Sequence, residues 1–137
     1  MGDVPAVLMR WLHFASVATL VGGFFFGSLV LRAAGTVLPP EAAASLSEKA
    51  AARFRPWLWI AIAALLLSGL YNVVTMPGHT TRYYVLLGIK LLLVAHIFAA
   101  GILAIRPHNA HRVRQMTGAF ISGFVVILLS AYLRRIF

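Results

Sequence analysis

Four apolar runs, each long enough to cross a lipid bilayer, constrain this chain more than any other feature. They extend from about Ala6 to Leu31, from Pro56 to Thr75, from Tyr83 to Ile105 and from about Thr117 to Leu133. A helix needs about 20 predominantly apolar residues to traverse the hydrocarbon core. In that core no water satisfies backbone N–H and C=O groups, so single spans fold as helices. The runs predict an all-α, integral membrane four-helix bundle, a single transmembrane domain over residues 1–137.

Composition excludes a soluble domain. Hydrophobic residues make up 61% of the chain and charged residues 11%, against about 25% charged in soluble domains. The formal net charge of +9 does not indicate nucleic acid. The basic residues sit at the edges of apolar runs, not in a polar stripe interleaved with aromatics. There is no cysteine, which removes disulfides, thiolate metal sites and iron–sulfur clusters. Any metal site must draw on His, Met, carboxylate or backbone.

The span ends carry the expected signals. Asp3 precedes Val4 and Pro5 and caps a first helix that holds the proline in its opening turn. The apolar run of that helix is longer than the roughly 7–15 residues of a cleaved leader, so it reads as a retained span. Pro56 opens the second span after Arg53 and Arg55, and Met76-Pro77-Gly78 ends it. Trp11, Trp57, Trp59, Tyr83, Tyr84 and Tyr132 lie near span ends, where aromatic belts form.

On the side of the N-terminus stand Arg10, Arg82, Arg134 and Arg135. On the other stand Arg32, Lys49, Arg53, Arg55, Arg106, Arg112 and Arg114. Seven against four predicts that the second side is cytoplasmic and that both termini lie outside. Between the first two spans, residues 41–54 combine strong helix formers with Leu46, Ala50 and Phe54 on one line. They predict a short amphipathic helix on the membrane surface. Gly23 and Gly27, and Gly118 and Ser122, have the spacing that lets helix backbones approach closely. A Ser-Gly pair occurs in each even span, at 68–69 and 122–123, a faint sign of a duplicated hairpin.

The third span raises the chemical question. GIKLLLVAHIFAAG, residues 88–101, holds Lys90 and His96 among apolar residues and glycine. Ionisable groups inside a membrane are costly and usually face the bundle interior. Lys90 is shallow enough to snorkel toward the outer side. His96 falls near the middle of the span. It reads either as a neutral histidine bonded to a neighbouring helix or as a metal or haem ligand. Six positions separate the two, which turns them about 120° apart around the helix. His13 lies nearer the depth of Lys90 than that of His96, and the two histidines are offset by roughly 9 Å along parallel helices. Spacing gives little support to a haem held between them. Asn72 and Tyr71 are placed to hydrogen-bond to His13 or Lys90.

A second constellation lies on the outer side. Met9 and His13 are an i, i+4 pair on one helix face, and Met76 and His79 fall in the turn MPGH. Thioether and imidazole together suit copper, especially Cu(I). The competing reading is that Met9 packs and MPGH is only a turn. His108 and His111 read as solvated loop residues. No carboxylate lies within a span, so carboxylate acid–base chemistry and carboxylate proton relays are disfavoured. No catalytic residue is assigned.

RWLHFASVATLVGGFFF (10–26), LLLSGLYNVV (65–74) and TRYYVLLGIKLLLVAHIFAAG (81–101) together resemble the first three spans of CopD-like (copper resistance protein D) membrane proteins. The likeness covers most of the chain and rests on the ordered set of histidine, Ser-Gly and lysine. It implies a bacterial inner-membrane protein linked to copper resistance or uptake, with His13 and Lys90 at typical polar positions of the family. A weaker similarity joins the chain to HemJ-type proteins, four-helix oxidases that bind haem b.

Three readings follow. The first is copper handling at the outer face through Met9, His13, Met76 and His79. The second is a haem b protein with His96 or His13 as axial ligand, in electron transfer or tetrapyrrole oxidation. The third is a ligand-free small subunit of a larger membrane complex or homo-oligomer, with Lys90 and Asn72 buried against partners.

Overall fold

The computed structural model describes residues 3–75, 78 and 81–135. Among them are four helices: α1 (Asp3–Val37), α2 (Pro40–Thr75), α3 (Thr81–Ala104) and α4 (Arg112–Arg135). Each is long and apolar enough to cross a membrane. The chain is a multi-pass, all-α membrane protein. The end of the bundle that holds Asp3, Thr75, Thr81 and Arg135 is termed the terminal face. The opposite end, with the 37–40 and 104–112 connections, is the loop face.

α2 differs from the sequence reading. Residues 41–54 and 56–75 form one unbroken helix of 36 residues with Pro56 inside it. At 1.5 Å per residue it is roughly 54 Å long, well beyond the roughly 30 Å apolar core. Its first turns, bearing Glu41, Glu48, Lys49, Arg53 and Arg55, therefore project past the membrane at the loop face. The 41–54 segment is not laid flat because it packs inward. Ala51 is buried, and the Phe54 ring meets Phe24 of α1 edge-on at 5.7 Å between centroids.

The helices form a ring in the order α2, α1, α4, α3, in which α2 and α3 touch only sparingly. The core sits in the loop-facing half. It gathers Leu20, Phe24 and Leu31 of α1, Leu58 and Ile62 of α2, Ile97 and Ala104 of α3, and Met116, Ala119 and Val126 of α4. α3 buries no residue before Ile97, so its terminal half stands apart from α2.

Glycines set the close approaches. A Cβ on Gly101 would lie 2.6 Å from Phe24 Cζ and 3.2 Å from a Leu58 methyl. This is where α3 meets both α1 and α2. Gly23 makes room for the Phe54 ring and Gly27 for the Met116 thioether. The α1 pair at this spacing therefore serves two different neighbours.

The loop face is closed by Arg112, whose side chain is only 2% exposed. Its Nε donates to the Ala104 carbonyl at 2.6 Å and its Nη2 to the Arg106 carbonyl at 2.7 Å. Nη1 donates to Ser47 Oγ at 2.5 Å, and Nη2 also pairs with Glu48 Oε1 at 3.3 Å. One guanidinium thus satisfies orphan carbonyls at the end of α3 and fastens α4 to the projecting part of α2. The His108 amide donates to the same Glu48 oxygen at 2.8 Å. His108 adopts the left-handed backbone region, with φ 55°. Arg55 Nη2 adds a bond from α2 to the Ile105 carbonyl, and Arg32 Nη2 one from α1 to Thr117 Oγ1, both at 2.8 Å. At the terminal face Arg82 donates to the Tyr132 hydroxyl, joining α3 to α4.

Two outcomes test this account. Gly101→Val should destabilise by about 1–3 kcal/mol through overpacking, whereas Gly22→Ala, which meets nothing within 4 Å, should change stability by less than about 0.5 kcal/mol. Thermal unfolding in detergent distinguishes them. Partial burial raises the Glu48 carboxyl, but the charge and hydrogen bond of Arg112 and the His108 amide outweigh it and hold its pKa below the usual carboxylate value of 4.5. A group lowered in this way contributes stability that is complete above its ordinary pKa and lost as pH falls through the folded value. The melting temperature should drop on acidification below about pH 4, and Glu48→Gln should flatten that drop.

Candidate functional site

The terminal half of the α1–α2 pair concentrates the ligand-type side chains. His13 lies ten residues into α1, roughly 15 Å along its axis. Ser68 lies seven residues before the end of the antiparallel α2. The two meet at similar depth, with His13 Nδ1 and Ser68 Oγ 3.0 Å apart. Ser68 is fully buried and His13 half-buried. The partner of His13 on α2 is therefore Ser68, one turn deeper than Asn72.

The hydroxyl is coupled to the imidazole tautomer. Ser68 Oγ also lies 3.3 Å from the Leu65 carbonyl, and it has one proton to donate. When that proton goes to Leu65, His13 must donate from Nδ1, and Nε2 keeps its lone pair. This is the tautomer through which a histidine takes a metal by Nε2. When the proton goes to His13, Nε2 carries the hydrogen.

Met9 sits one turn before His13 on α1 and is half-buried. Because the helices run antiparallel, Met9 falls at the level of Asn72, which is half-buried one turn beyond Ser68. Lys90 lies nine residues into α3, at a depth of roughly 14 Å from the terminal face, and is also half-buried. Met9, His13, Ser68 and Asn72 thus form a ladder of thioether, imidazole, hydroxyl and amide leading in from the terminal face. Met76 and His79, the other two candidate ligands, lie outside the described residues. Among the described residues no three His, Cys, Asp or Glu side chains cluster as a metal site. Soft coordination here rests on imidazole and thioether, a donor set that fits Cu(I).

His96 takes the first of its two readings, a histidine bonded to a neighbouring helix. It is roughly 8 Å deeper than His13 along the bundle axis, yet its ring faces outward from the bundle instead of inward. Its Nδ1 lies 3.0 Å from Ser122 Oγ of α4. The 120° turn from Lys90 carries it to the outer edge of the α3–α4 pair, where a neighbouring hydroxyl supplies the partner that lipid cannot. His13 and His96 are thus held by different helix pairs and do not share a site.

The two Ser-Gly pairs are equivalent in one respect. Each places its serine on the histidine of the preceding odd helix, His13 with Ser68 and His96 with Ser122. The sequence reading missed Ser68 and Ser122 as histidine partners, although it registered the repeat. It also took Arg112 for an orientation charge. The available signal was the scarcity of acids: Glu48 is one of three in the chain.

Nitrogen-15 NMR of the histidine rings tests the two clamps. Ser68→Ala should shift the tautomer balance of His13 and leave His96 unchanged, and Ser122→Ala should do the reverse. His96→Leu should alter stability by less than about 1 kcal/mol, because the ring lies on the outer surface.

The profile described as copper resistance protein D-like, N-terminal domain, matches residues 1–83, a stretch that contains Met9, His13, Ser68 and Asn72. No curated protein and no solved structure matches the chain.

Proposed function

Because the chain belongs to the copper resistance protein D-like family, we propose that it handles copper ions at the terminal face, in uptake or resistance. The observation that carries this reading is the Met9–His13 pair on α1, with the imidazole oriented by the buried Ser68 hydroxyl. Copper is the cargo. A Cu(I) ion approaching along α1 meets a thioether and then, one turn further in, an imidazole nitrogen. Both are neutral ligands, so binding leaves the ion's charge uncancelled. Met76 and His79, which lie between α2 and α3 in the sequence, are proposed to extend the donor set. Asn72 lies at the level of Met9 and Lys90 near the level of His13, by their positions in α2 and α3.

The location follows from the same reading. We place the chain in a bacterial inner membrane with both termini outside. The basic loop face, with seven Lys and Arg against four at the terminal face, is then cytoplasmic. Copper would meet Met9 and His13 from the outer compartment.

Competition of the purified protein with a colorimetric Cu(I) chelator tests the site. Met9→Leu combined with His13→Ala should weaken Cu(I) binding at least about tenfold, or about 1.4 kcal/mol, and His79→Ala should weaken it further. His96→Ala should leave it unchanged. Equal binding by the double variant removes the site. A Soret band in the absorption spectrum, lost in His13→Ala, would replace copper by haem b at that histidine.

A further inference from the structure

The loop between α3 and α4 holds a recess that the copper reading does not use. It is open to the surface, about 400 Å³ in volume, and is lined by Leu103, Arg106, Pro107, His108, Asn109 and Gln115. The lining includes no carboxylate. Asn109 Nδ2 donates to the Leu103 carbonyl at 2.7 Å and to Gln115 Oε1 at 2.6 Å. Asn109 Oδ1 accepts from the His111 amide at 2.9 Å. These bonds use up the acceptors and fix Gln115 with its Nε2 donor left over. Among the described residues neither Gln115 Nε2 nor the exposed Arg106 guanidinium has a hydrogen-bond or ion-pair partner.

The surrounding charge points the same way. The loop face carries Arg32, Lys49, Arg53, Arg55, Arg106, Arg112 and Arg114 against Glu41 and Glu48, and Glu48 is already committed to Arg112. The polar side of the recess is thus a set of donors in a positive field. Its other side is apolar, formed by Leu103, 41% exposed on the outward face of α3, and Pro107. Leu103 is one residue from the end of the membrane-spanning α3, so the recess lies where lipid headgroups lie. An anion attached to an apolar body, arriving at membrane depth, complements both sides.

We propose that this recess is a binding site for the phosphate diester of an anionic phospholipid, with Arg106 as the main anchor and Gln115 as a second donor. The glycerol and first methylenes lie over Leu103 and Pro107. His108 lines the same recess. Free phosphate shares the charged half of this chemistry but has nothing to place on the apolar half.

The test uses the full chain purified in a neutral detergent and titrated with dioctanoyl phosphatidylglycerol, with complexes counted by native mass spectrometry. Wild type should hold one phosphatidylglycerol at least tenfold more tightly than the phosphatidylcholine of equal chain length. Arg106→Gln and Gln115→Leu should each lower that affinity, the former at least tenfold, while Arg106→Lys recovers part of it. Arg53→Gln removes the same charge from an exposed position outside the recess and should have less than a twofold effect. Circular dichroism confirms that each variant is folded, which the exposed position of Arg106 favours. Equal losses in Arg53→Gln and Arg106→Gln would replace the site by a diffuse surface field and overturn the proposal. Displacement of the lipid by inorganic phosphate at equal concentration would overturn it in favour of a free-anion site.

Discussion

One guanidinium, buried where three helices meet, sets the form of this protein. Arg112 bonds to the end of α3, to the Arg106 carbonyl in the following loop and to Ser47 and Glu48 of α2. A charge enclosed to this degree is tolerated only when its donors are met. Here two backbone carbonyls, a hydroxyl and a carboxylate meet them. The carbonyls are themselves groups that a helix end and its loop would leave unsatisfied. The joint therefore solves two desolvation problems with one side chain. It also explains why α2 continues unbroken beyond the membrane: its first turns supply Ser47 and Glu48 to the joint.

Closure at one end leaves freedom at the other. α3 meets α1 and α2 closely at Gly101, near the joint, and buries nothing before Ile97. Toward the terminal face its partner is α4, through Arg82 and Tyr132. The separation of α2 and α3 there leaves His13 and Asn72 half-buried rather than sealed. In the proposed reading a copper ion enters and leaves through that gap, while Ser68 orients the imidazole. The His13–Ser68 and His96–Ser122 clamps share a chemical form but not a setting. The first lies within the bundle and the second on its outer edge.

Much of the fold was legible in the sequence because the bilayer imposes it. Length and apolarity of the four runs required helices, and the helices are there. The 41–54 segment was legible as helix, but its angle to the membrane was not. That angle depends on the burial of Ala51 and on Phe54 packing against α1, contacts that no local pattern specifies. The depths of His13 and His96 followed from counting residues. Their partners did not, since a serine in a span usually bonds to its own helix, as Ser16 and Ser28 do here. His96 meets Ser122 of the neighbouring α4, and that hydroxyl makes its exposed position tolerable.

The sequence by itself determined that this chain spans a membrane four times, that its charge gathers at one end, and that its soft side chains are thioether and imidazole. Those properties are local, fixed by transfer free energy and residue chemistry. Only the tertiary structure decided that His13 and His96 belong to separate helix pairs, that Ser68 and Ser122 orient them, and that Arg112 is a buried joint rather than a surface charge. Those properties depend on helix rotation and register between segments far apart in the chain. An apolar helix carries little in its own sequence to fix either.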